Sequence, residues 1–337
     1  METEHLTAKD YQYAADLLKQ GKLVAFPTET VYGLGADALN PQAVKAVYQV
    51  KNRPTDNPLN LTVSSFEMVQ KYAAHISKAA QLLMETFWPG PLTIILPLKY
   101  HAIDKIITAG LPTVAFRMPD NEAALKMITA LGNPIVGPSA NTSGKPSPTT
   151  AEHVLHDLGG KIAAVLDDGP TNVGVDSTII DMSLAQPTIL RPGVITSDDI
   201  ATVIDQPVMT QDEATTDNHS SQRYKHYEPK AQVIIVDQVD QFPAAIAAMV
   251  KTGQPFGIMA TDQVLNKQHA VRFKEQFSLG DSIMSASQHL YDGLRYFDMY
   301  PEVKTILVQG FPATGIGAAY MNRLEKAAAH HHFFNKN

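Results

Sequence analysis

Several groups of polar residues in the first two hundred positions have side chains that could bind anions and small polar ligands. Lys51 and Arg53 close a predicted helix, and an ammonium and a forked guanidinium both suit phosphate oxygens. Ser139, Asn141 and Gly144 lie in a short loop of hydroxyl, amide and backbone donors, the composition of an anion-binding nest. Each group alone is equally typical of a helix end or a turn. Their occurrence together favours a site for a polyanion and a small polar ligand.

The elements that must position these groups are short strands and helices in alternation. In open α/β sheets, ligands bind where the loops at the strand ends converge. Asn40 followed by Pro41 predicts the start of a helix that runs through Val50. The pattern predicts an α/β fold with a twisted, mixed, open sheet and helices between its strands. The predicted strands are 22–26, 59–63, 92–96, 113–117, 134–137, 163–167, 175–180 and 188–191.

A change of composition divides the chain into two predicted domains. Between Thr210 and Gln222 the only apolar residue is Ala214, and such a segment cannot bury enough surface to fold alone. The sequence therefore predicts a catalytic domain at 1–205, a linker at 206–229 and a C-terminal domain at 230–337. Strands and helices alternate again after the linker, which predicts a smaller Rossmann-like α/β domain.

Composition excludes several classes of function. The chain of 337 residues has a net charge of −7, which argues against binding nucleic acid mainly through phosphates. It contains no cysteine, which excludes disulfides, thiolate metal sites and a cysteine nucleophile. No dedicated metal site is expected, because the three adjacent histidines at 330–332 lack fixed geometry. Without a secretory signal or a long apolar run, we expect a cytoplasmic protein that does not enter membranes.

Two glycine-containing segments match nucleotide-binding motifs in letters only. Residues 33–38 fit G-x-G-x-x-G/A, but six residues separate the predicted strand from Gly33 and the next helix opens only at Pro41. We therefore predict a glycine turn at 33–38. Residues 137–145 have too many residues between the glycines for a Walker A loop, and a proline follows Lys145.

Seven motifs, in their order along the chain, resemble those of the Sua5/YrdC/YwlC family. The resemblance covers about residues 5–205, and the end of the linker together with the C-terminal domain resembles the longer, two-domain Sua5 form. The motifs are PTETVYGLG at 27–35, KNRP at 51–54 with NPL at 57–59, WPGPLT at 88–93, RMP at 117–119, SANTSG at 139–144, STIID at 177–181 and LRPG at 190–193.

The resemblance implies an enzyme, an L-threonylcarbamoyladenylate synthase. Such a protein converts L-threonine, bicarbonate or CO₂, and ATP into threonylcarbamoyl-AMP and pyrophosphate, the first step of the t6A37 modification of tRNA. A separate Kae1/TsaD-type enzyme would carry out the transfer to tRNA, so tRNA is an indirect partner. The reaction needs no covalent enzyme intermediate, only positioning and charge neutralisation. No tightly bound cofactor is implied, and Mg²⁺ would accompany ATP through its phosphate oxygens.

By motif position, the resemblance also assigns residues to the two substrates. Arg117 would hold the threonine carboxylate through its fork, and Tyr227 at the end of the linker would act as a lid over ATP. The threonine-binding set is Thr30, Thr62, Arg117, Ser139 and Ser177. The ATP-binding set is Arg53, Asn57, Thr113, Asn141, Thr149, Arg191 and Tyr227. The set expected near the triphosphate and the reacting centre is Lys51, Arg53, Ser139 and Asn141.

Three positions depart from the family pattern. Thr62 stands where many members have histidine, Asp176 replaces a common glutamate, and Pro170 interrupts the usual Asp-Gly-Gly. Two other functions remain open from the residues alone. One is an RNA-binding module without catalysis, and the other is a sensor of a nucleotide or amino acid that uses the C-terminal domain.

Overall fold

A computed structural model describes residues 2–210, 229–267 and 274–334. The chain divides into two compact units. The first contains 1–143, 147–172 and 176–224, and the second contains 144–146, 173–175 and 225–337. Within the described ranges, no helix is long and apolar enough to cross a membrane.

The first unit is built on one sheet of eleven strands with helices packed against it. Its strands are β1 Glu4–Thr7, β2 Val24–Phe26, β3 Gly33–Asp37, β4 Leu61–Thr62, β5 Leu92–Pro97, β6 Thr113–Arg117, β7 Ile135–Val136, β8 Ala164–Asp167, β9 Thr178–Asp181, β10 Thr188–Arg191 and β11 Met209–Thr210. Its helices are α1 Tyr11–Lys19, α2 Pro41–Lys51, α3 Phe66–Tyr72, α4 Lys78–Phe87, α5 Lys105–Thr108, α6 Glu122–Leu131, α7 Ala151–Leu158 and α8 Ser197–Ile204.

The sheet of the first unit is mixed, as the sequence predicts. The strand order is β1-β8-β2-β3-β7-β4-β6-β5-β9-β10-β11. In the central part, β4 runs parallel to β6 and antiparallel to β7, while β5 runs antiparallel to β6 and parallel to β9. One continuous apolar core joins the strands to the helices. Strands distant in sequence thus become neighbours and bring their polar ends together.

Local sequence explains helix α2, which carries Lys51. The Asn40 side chain accepts hydrogen bonds from the backbone N–H groups of Gln42 and Ala43, and Pro41 occupies the first helical position. The helix ends at Asn52, which adopts a left-handed conformation with φ of 51°. Lys51 is therefore the last residue of the helix, and it is buried.

The glycine turn predicted at 33–38 is wrong, because residues 33–37 form strand β3. Gly33 lies opposite Phe26 in the antiparallel pairing of β2 with β3, and β3 also pairs with β7. A Cβ atom at Gly33 would lie 2.4 Å from Cζ of Phe26, so this strand position requires glycine. The glycine makes room for an aromatic ring of the neighbouring strand, and it does not reverse the chain.

The second unit is an α/β structure on a smaller, parallel sheet. The strand order is β12-β15-β13-β14, so the last strand lies between the first and the second. Every pairing in this sheet is parallel, and helices occupy the connections, as expected of a Rossmann-like domain. The elements are β12 Gln232–Val236, α9 Phe242–Thr252, β13 Phe256–Ala260, α10 Asp262–Leu265, β14 Glu275–Ser278, α11 Ile283–Asp298, β15 Thr305–Gln309 and α12 Ile316–Ala328.

Candidate functional site

Three polar residues form a row across the centre of the large sheet. Thr62 of β4 and Thr93 of β5 both lie directly opposite Arg117 of β6. Residues directly opposite each other on paired strands project from the same face of a sheet. The row therefore presents one guanidinium between two hydroxyl groups.

The row continues through Ser177 to a second arginine. The hydroxyl oxygens of Thr93 and Ser177 lie 2.8 Å apart. Arg191 donates through Nε to the Ser177 carbonyl at 3.0 Å and through Nη2 to its hydroxyl at 3.1 Å. The structure thus brings together Arg117, Ser177 and Arg191, which come from three separate motifs.

A buried ion pair joins the first motif to this row. Arg117 Nη2 donates to Glu29 Oε2 at 2.8 Å, and the two side chains are only 10% and 7% exposed. The neighbouring Thr30 is fully buried, with its hydroxyl 3.0 Å from that of Thr28. Glu29 and Thr93 are not among the site residues predicted from sequence, although both lie within the family motifs.

Lys51 is placed against the loop that contains Ser139 and Asn141. Its Nζ donates to the carbonyl oxygens of both residues, at 2.6 Å for Asn141, and the Ser143 N–H donates to the Lys51 carbonyl at 2.9 Å. The ammonium therefore shapes the backbone of this loop. The other side of the loop is fixed by Ala140, whose N–H donates to the Tyr32 carbonyl at 2.8 Å.

Arg53 and Asn57 form a second polar cluster just after helix α2. Arg53 Nη2 donates to Asn57 Oδ1 at 2.5 Å and to the Pro58 carbonyl at 2.9 Å. The pKa of the nearby Tyr48 rises to about 12 because the phenol is buried, and the charge of Arg53 opposes this rise. The cluster is thus a forked cation held in place by its own loop.

Thr113 begins β6 and lies four residues before Arg117, about 13 Å away along an extended strand. Thr113 pairs with Pro97 of β5, and Arg117 pairs with Thr93 at the other end of the same strand pair. The predicted ATP residue Thr113 is therefore separated from the Arg117 end of β6.

Thr62, the first of the three departures from the family pattern, has close neighbours. Its hydroxyl accepts a hydrogen bond from Asn60 Nδ2 at 3.3 Å. A Cβ atom at Gly137 would lie 2.3 Å from the Thr62 hydroxyl oxygen. The second departure, Asp176, is buried and accepts a hydrogen bond from the Ser147 hydroxyl at 3.4 Å.

Thr149 is also buried, and it lies two residues before the first residue of helix α7. Its hydroxyl oxygen is 3.3 Å from Nδ1 of His153, and its carbonyl accepts a hydrogen bond from the Thr171 N–H at 3.0 Å. Tyr227, the predicted lid residue, lies outside the described residues. Among the residues that are described, no group of three or more histidine and acidic side chains is arranged to hold a metal ion.

Tyr32 anchors the first motif to strand β8. Its hydroxyl lies 2.8 Å from Asp167 Oδ1 and 2.7 Å from the Gly169 carbonyl. Burial and the hydrogen bond to Asp167 raise the pKa of Tyr32 far above its usual range, so it stays a neutral donor. Burial would raise the pKa of Asp167, but hydrogen bonds from His5, the Gly169 N–H and Tyr32 lower it overall.

Comparison with known proteins identifies the family to which this fold and site belong. Residues 16–193 match the family described as "Telomere recombination", named Sua5_yciO_yrdC, and residues 195–329 match the family described as "Threonylcarbamoyl-AMP synthase, C-terminal domain". The chain belongs to the Sua5/YrdC/YwlC family. Because both regions are present, it has the two-domain Sua5 form.

Relatives and solved structures agree with this membership over nearly the whole chain. Threonylcarbamoyl-AMP synthases of Pyrococcus abyssi and Bacillus subtilis are 42% and 41% identical to the chain. The matches cover 94% and 97% of this chain and 93% and 95% of those relatives. The crystal structure of P. abyssi Sua5 complexed with L-threonine has a TM-score of 0.90 and 38% identity, with 99% of both chains covered.

Proposed function

We propose that this protein is an L-threonylcarbamoyladenylate synthase that joins threonine, bicarbonate or CO₂, and the adenylyl group of ATP. The observation that carries the proposal is the row formed by Arg117, Thr93, Ser177 and Arg191 in the unit that also contains the Lys51 loop. Homologous threonylcarbamoyl-AMP synthases that match the chain over most of its length support it.

The first step makes a carbamate from the amino group of threonine. The threonine ammonium and bicarbonate give the N-carboxylate, water and one proton, so that charge and atoms balance. Arg117 provides a guanidinium for the α-carboxylate, and the buried hydroxyls of Thr30 and Ser177 can bind the remaining polar groups. Thr62, which lies opposite Arg117 on strand β4, and Ser139 complete the threonine-binding set. Burial matters here because carbamates are unstable in water.

The second step transfers the adenylyl group. A carbamate oxygen attacks the α-phosphorus of ATP, and the bond to the bridging oxygen breaks to release pyrophosphate. Arg53 and Arg191 supply cations for the phosphates, while the loop of Ser139 and Asn141 supplies polar groups. We assign Lys51 to positioning this loop, because its ammonium donates to the carbonyls of both residues. Asn57, Thr113, Thr149 and Tyr227 complete the proposed ATP-binding set.

The remaining partners follow from the same reaction. Mg²⁺ would enter bound to the phosphates of ATP. Threonylcarbamoyl-AMP is a mixed anhydride, and a Kae1/TsaD-type enzyme would transfer its threonylcarbamoyl group to tRNA. Because the product serves tRNA modification, we place the reaction in the cytoplasm.

Detection of the labelled product tests the proposal. The protein is mixed with ATP, Mg²⁺, L-threonine and ¹³C-bicarbonate, and the products are analysed by mass spectrometry. We expect an adenylate that contains threonine and carries the ¹³C label. An unlabelled threonyl-AMP, or no adenylate at all, would overturn the proposal.

A tRNA-binding measurement on the same preparation distinguishes the synthase from an RNA-binding module without catalysis. A binder would hold tRNA in the absence of ATP with an affinity that falls steeply with salt concentration. We expect weak tRNA binding in a filter-binding titration, because the acidic chain places its described candidate cations inside a substrate site.

A further inference from the structure

Within the described ranges, the Glu29–Arg117 pair leaves one buried polar atom on each side chain without a partner. Arg117 Nη2 donates to Glu29 Oε2, whereas Glu29 Oε1 and Arg117 Nε have no hydrogen-bond partner in the described part of the protein. Both residues are at least nine-tenths buried. Buried polar atoms are almost always hydrogen-bonded in folded proteins, so two on one ion pair call for a ligand that supplies both bonds.

We propose that Glu29 is the residue that recognises the α-ammonium group of threonine. This inference rests on the proposed function. An α-amino acid carries its ammonium and its carboxylate on one carbon atom, so its two charges are adjacent. In the pair, Arg117 offers donors to the carboxylate and Glu29 Oε1 offers an acceptor to the ammonium. The adjacent opposite charges of the pair are therefore complementary to the zwitterion.

The backbone around Glu29 is fixed by the residue before it. The Thr28 hydroxyl oxygen accepts hydrogen bonds from the N–H groups of Thr30 at 3.1 Å and Val31 at 3.2 Å, and it donates to the Val31 carbonyl at 2.7 Å. Glu29 thus projects from a turn tied at both ends. Such preorganisation lets a carboxylate bind an ammonium without paying for its own ordering.

The contact survives the first chemical step. The ammonium nitrogen carries three hydrogens, and after carbamate formation one N–H remains on that nitrogen. Glu29 Oε1 can accept a hydrogen bond from either form. Glu29 therefore selects for the amino group before the reaction and holds the carbamate nitrogen after it, while hydroxyl recognition is left to the threonine and serine side chains of the site.

Calorimetric binding of two ligands to two proteins tests the proposal. The ligands are L-threonine and 3-hydroxybutanoate, which keeps the carbon skeleton, carboxylate and hydroxyl of threonine but lacks the amino group. We expect the wild type to bind threonine at least about tenfold more tightly than 3-hydroxybutanoate, since a buried charge-assisted hydrogen bond is lost. In Glu29→Gln the ratio of the two dissociation constants should fall to within about threefold.

Two further variants separate recognition from folding. Glu122→Gln removes an exposed carboxylate paired with Lys126, and both dissociation constants should stay at their wild-type values. Glu29→Asp keeps the charge, so the protein should still prefer threonine, although with lower affinity. It also serves if Glu29→Gln does not fold, in which case loss of the preference in folded Glu29→Asp would contradict the proposal.

The outcomes distinguish this inference from the proposed function. The role of Glu29 is overturned if the wild type binds both ligands equally tightly, or if folded Glu29→Gln binds both more weakly by the same factor. Neither result contradicts the synthase activity. A wild type that binds no threonine and releases no pyrophosphate contradicts the proposed function, and this inference with it.

Discussion

Arg117 is the residue proposed to bind the threonine carboxylate, and it is already half of a buried ion pair. Removing one partner of such a pair leaves an uncompensated charge and costs about 3–5 kcal/mol. An alanine at this position would therefore destabilise the fold through Glu29 as well as remove a ligand contact. A variant that keeps the charge and removes only the fork tests the binding role more cleanly.

Arg117→Lys should weaken threonine binding by roughly tenfold or more, because a lysine ammonium cannot form two parallel hydrogen bonds with a carboxylate. The dissociation constant for ATP should stay within about twofold of the wild type, since the α-carboxylate lies on the other substrate. Isothermal titration calorimetry with each ligand separately measures both effects.

The same exchange at Arg53 is the matched contrast. Arg53→Lys should weaken the binding of ATP and leave the binding of threonine unchanged. The reason is that Arg53 belongs to the Asn57 cluster and not to the row of Arg117. If either exchange weakens both ligands equally, the assignment of the two arginines to different substrates is wrong.

At the scale of elements, helix α2 and the loop at 139–144 act together. Lys51→Met would leave the Ser139 and Asn141 carbonyls without this donor, and we expect a loss of about 1–3 kcal/mol in the free energy of unfolding. The turnover number should also fall, because the loop is part of the proposed phosphate site. Urea unfolding and a pyrophosphate assay measure the two effects.

Lys45→Met is the control for that substitution, since Lys45 is an exposed lysine of the same helix. It should change neither stability nor turnover noticeably. A Lys51→Met protein with wild-type turnover would show that the loop does not need the ammonium.

Local signals in the sequence predicted the elements that depend on local interactions. Asn40 and Pro41 predicted the start of α2, and strands β6 and β10 have the predicted bounds. Strand β3 was missed because its glycines serve a ring on a neighbouring strand, a contact that no local pattern reveals. Strand β1 was missed because its pairing with β8 joins residues about 160 positions apart.

In the candidate site, too, the sequence identified the types of residue, whereas the contacts between them could not be predicted from it. Motif order supplied the candidates, but the partners of Lys51 are carbonyl oxygens 88 and 90 positions away, which side-chain types cannot indicate. Glu29 was visible in its motif, but its role depends on pairing with Arg117, also 88 positions away. Sequence therefore identified chemical groups, and only the fold shows which of them meet.

The C-terminal segment of the second unit gives a prediction about pH. The backbone at His332 forms a parallel bridge with strand β12, and the His332 side chain hydrogen-bonds to Asp237 and Glu325. Burial alone would lower the pKa of His332, but the hydrogen bond to Asp237 and the charge of Glu325 outweigh it and raise the pKa. Because folding raises the pKa of His332, its stabilising effect is complete at pH values below the pKa of the unfolded state. The effect is lost as the pH rises through the pKa of the folded state.

We therefore expect the wild type to lose more thermal stability than His332→Gln when the pH is raised from about 6 to about 8.5. Melting curves at several pH values measure this difference, and His75→Gln, at an exposed histidine, should behave as the wild type does. Identical pH dependence in the wild type and His332→Gln would contradict the role of His332.

At the scale of the whole molecule, the chemistry is concentrated in one unit. Every candidate substrate-binding residue that the structure describes lies in the first unit, although the residues span positions 30–191 of the chain. An eleven-stranded sheet makes this possible, because its strand order brings distant motifs to neighbouring positions. The described residues of the second unit contribute none of the assigned contacts.

Release of pyrophosphate from ATP tests this convergence most directly, because it requires both halves of the site to act on one reaction. We expect the pure protein to release pyrophosphate only when L-threonine and bicarbonate are both present. Equal release when either one is omitted would contradict it.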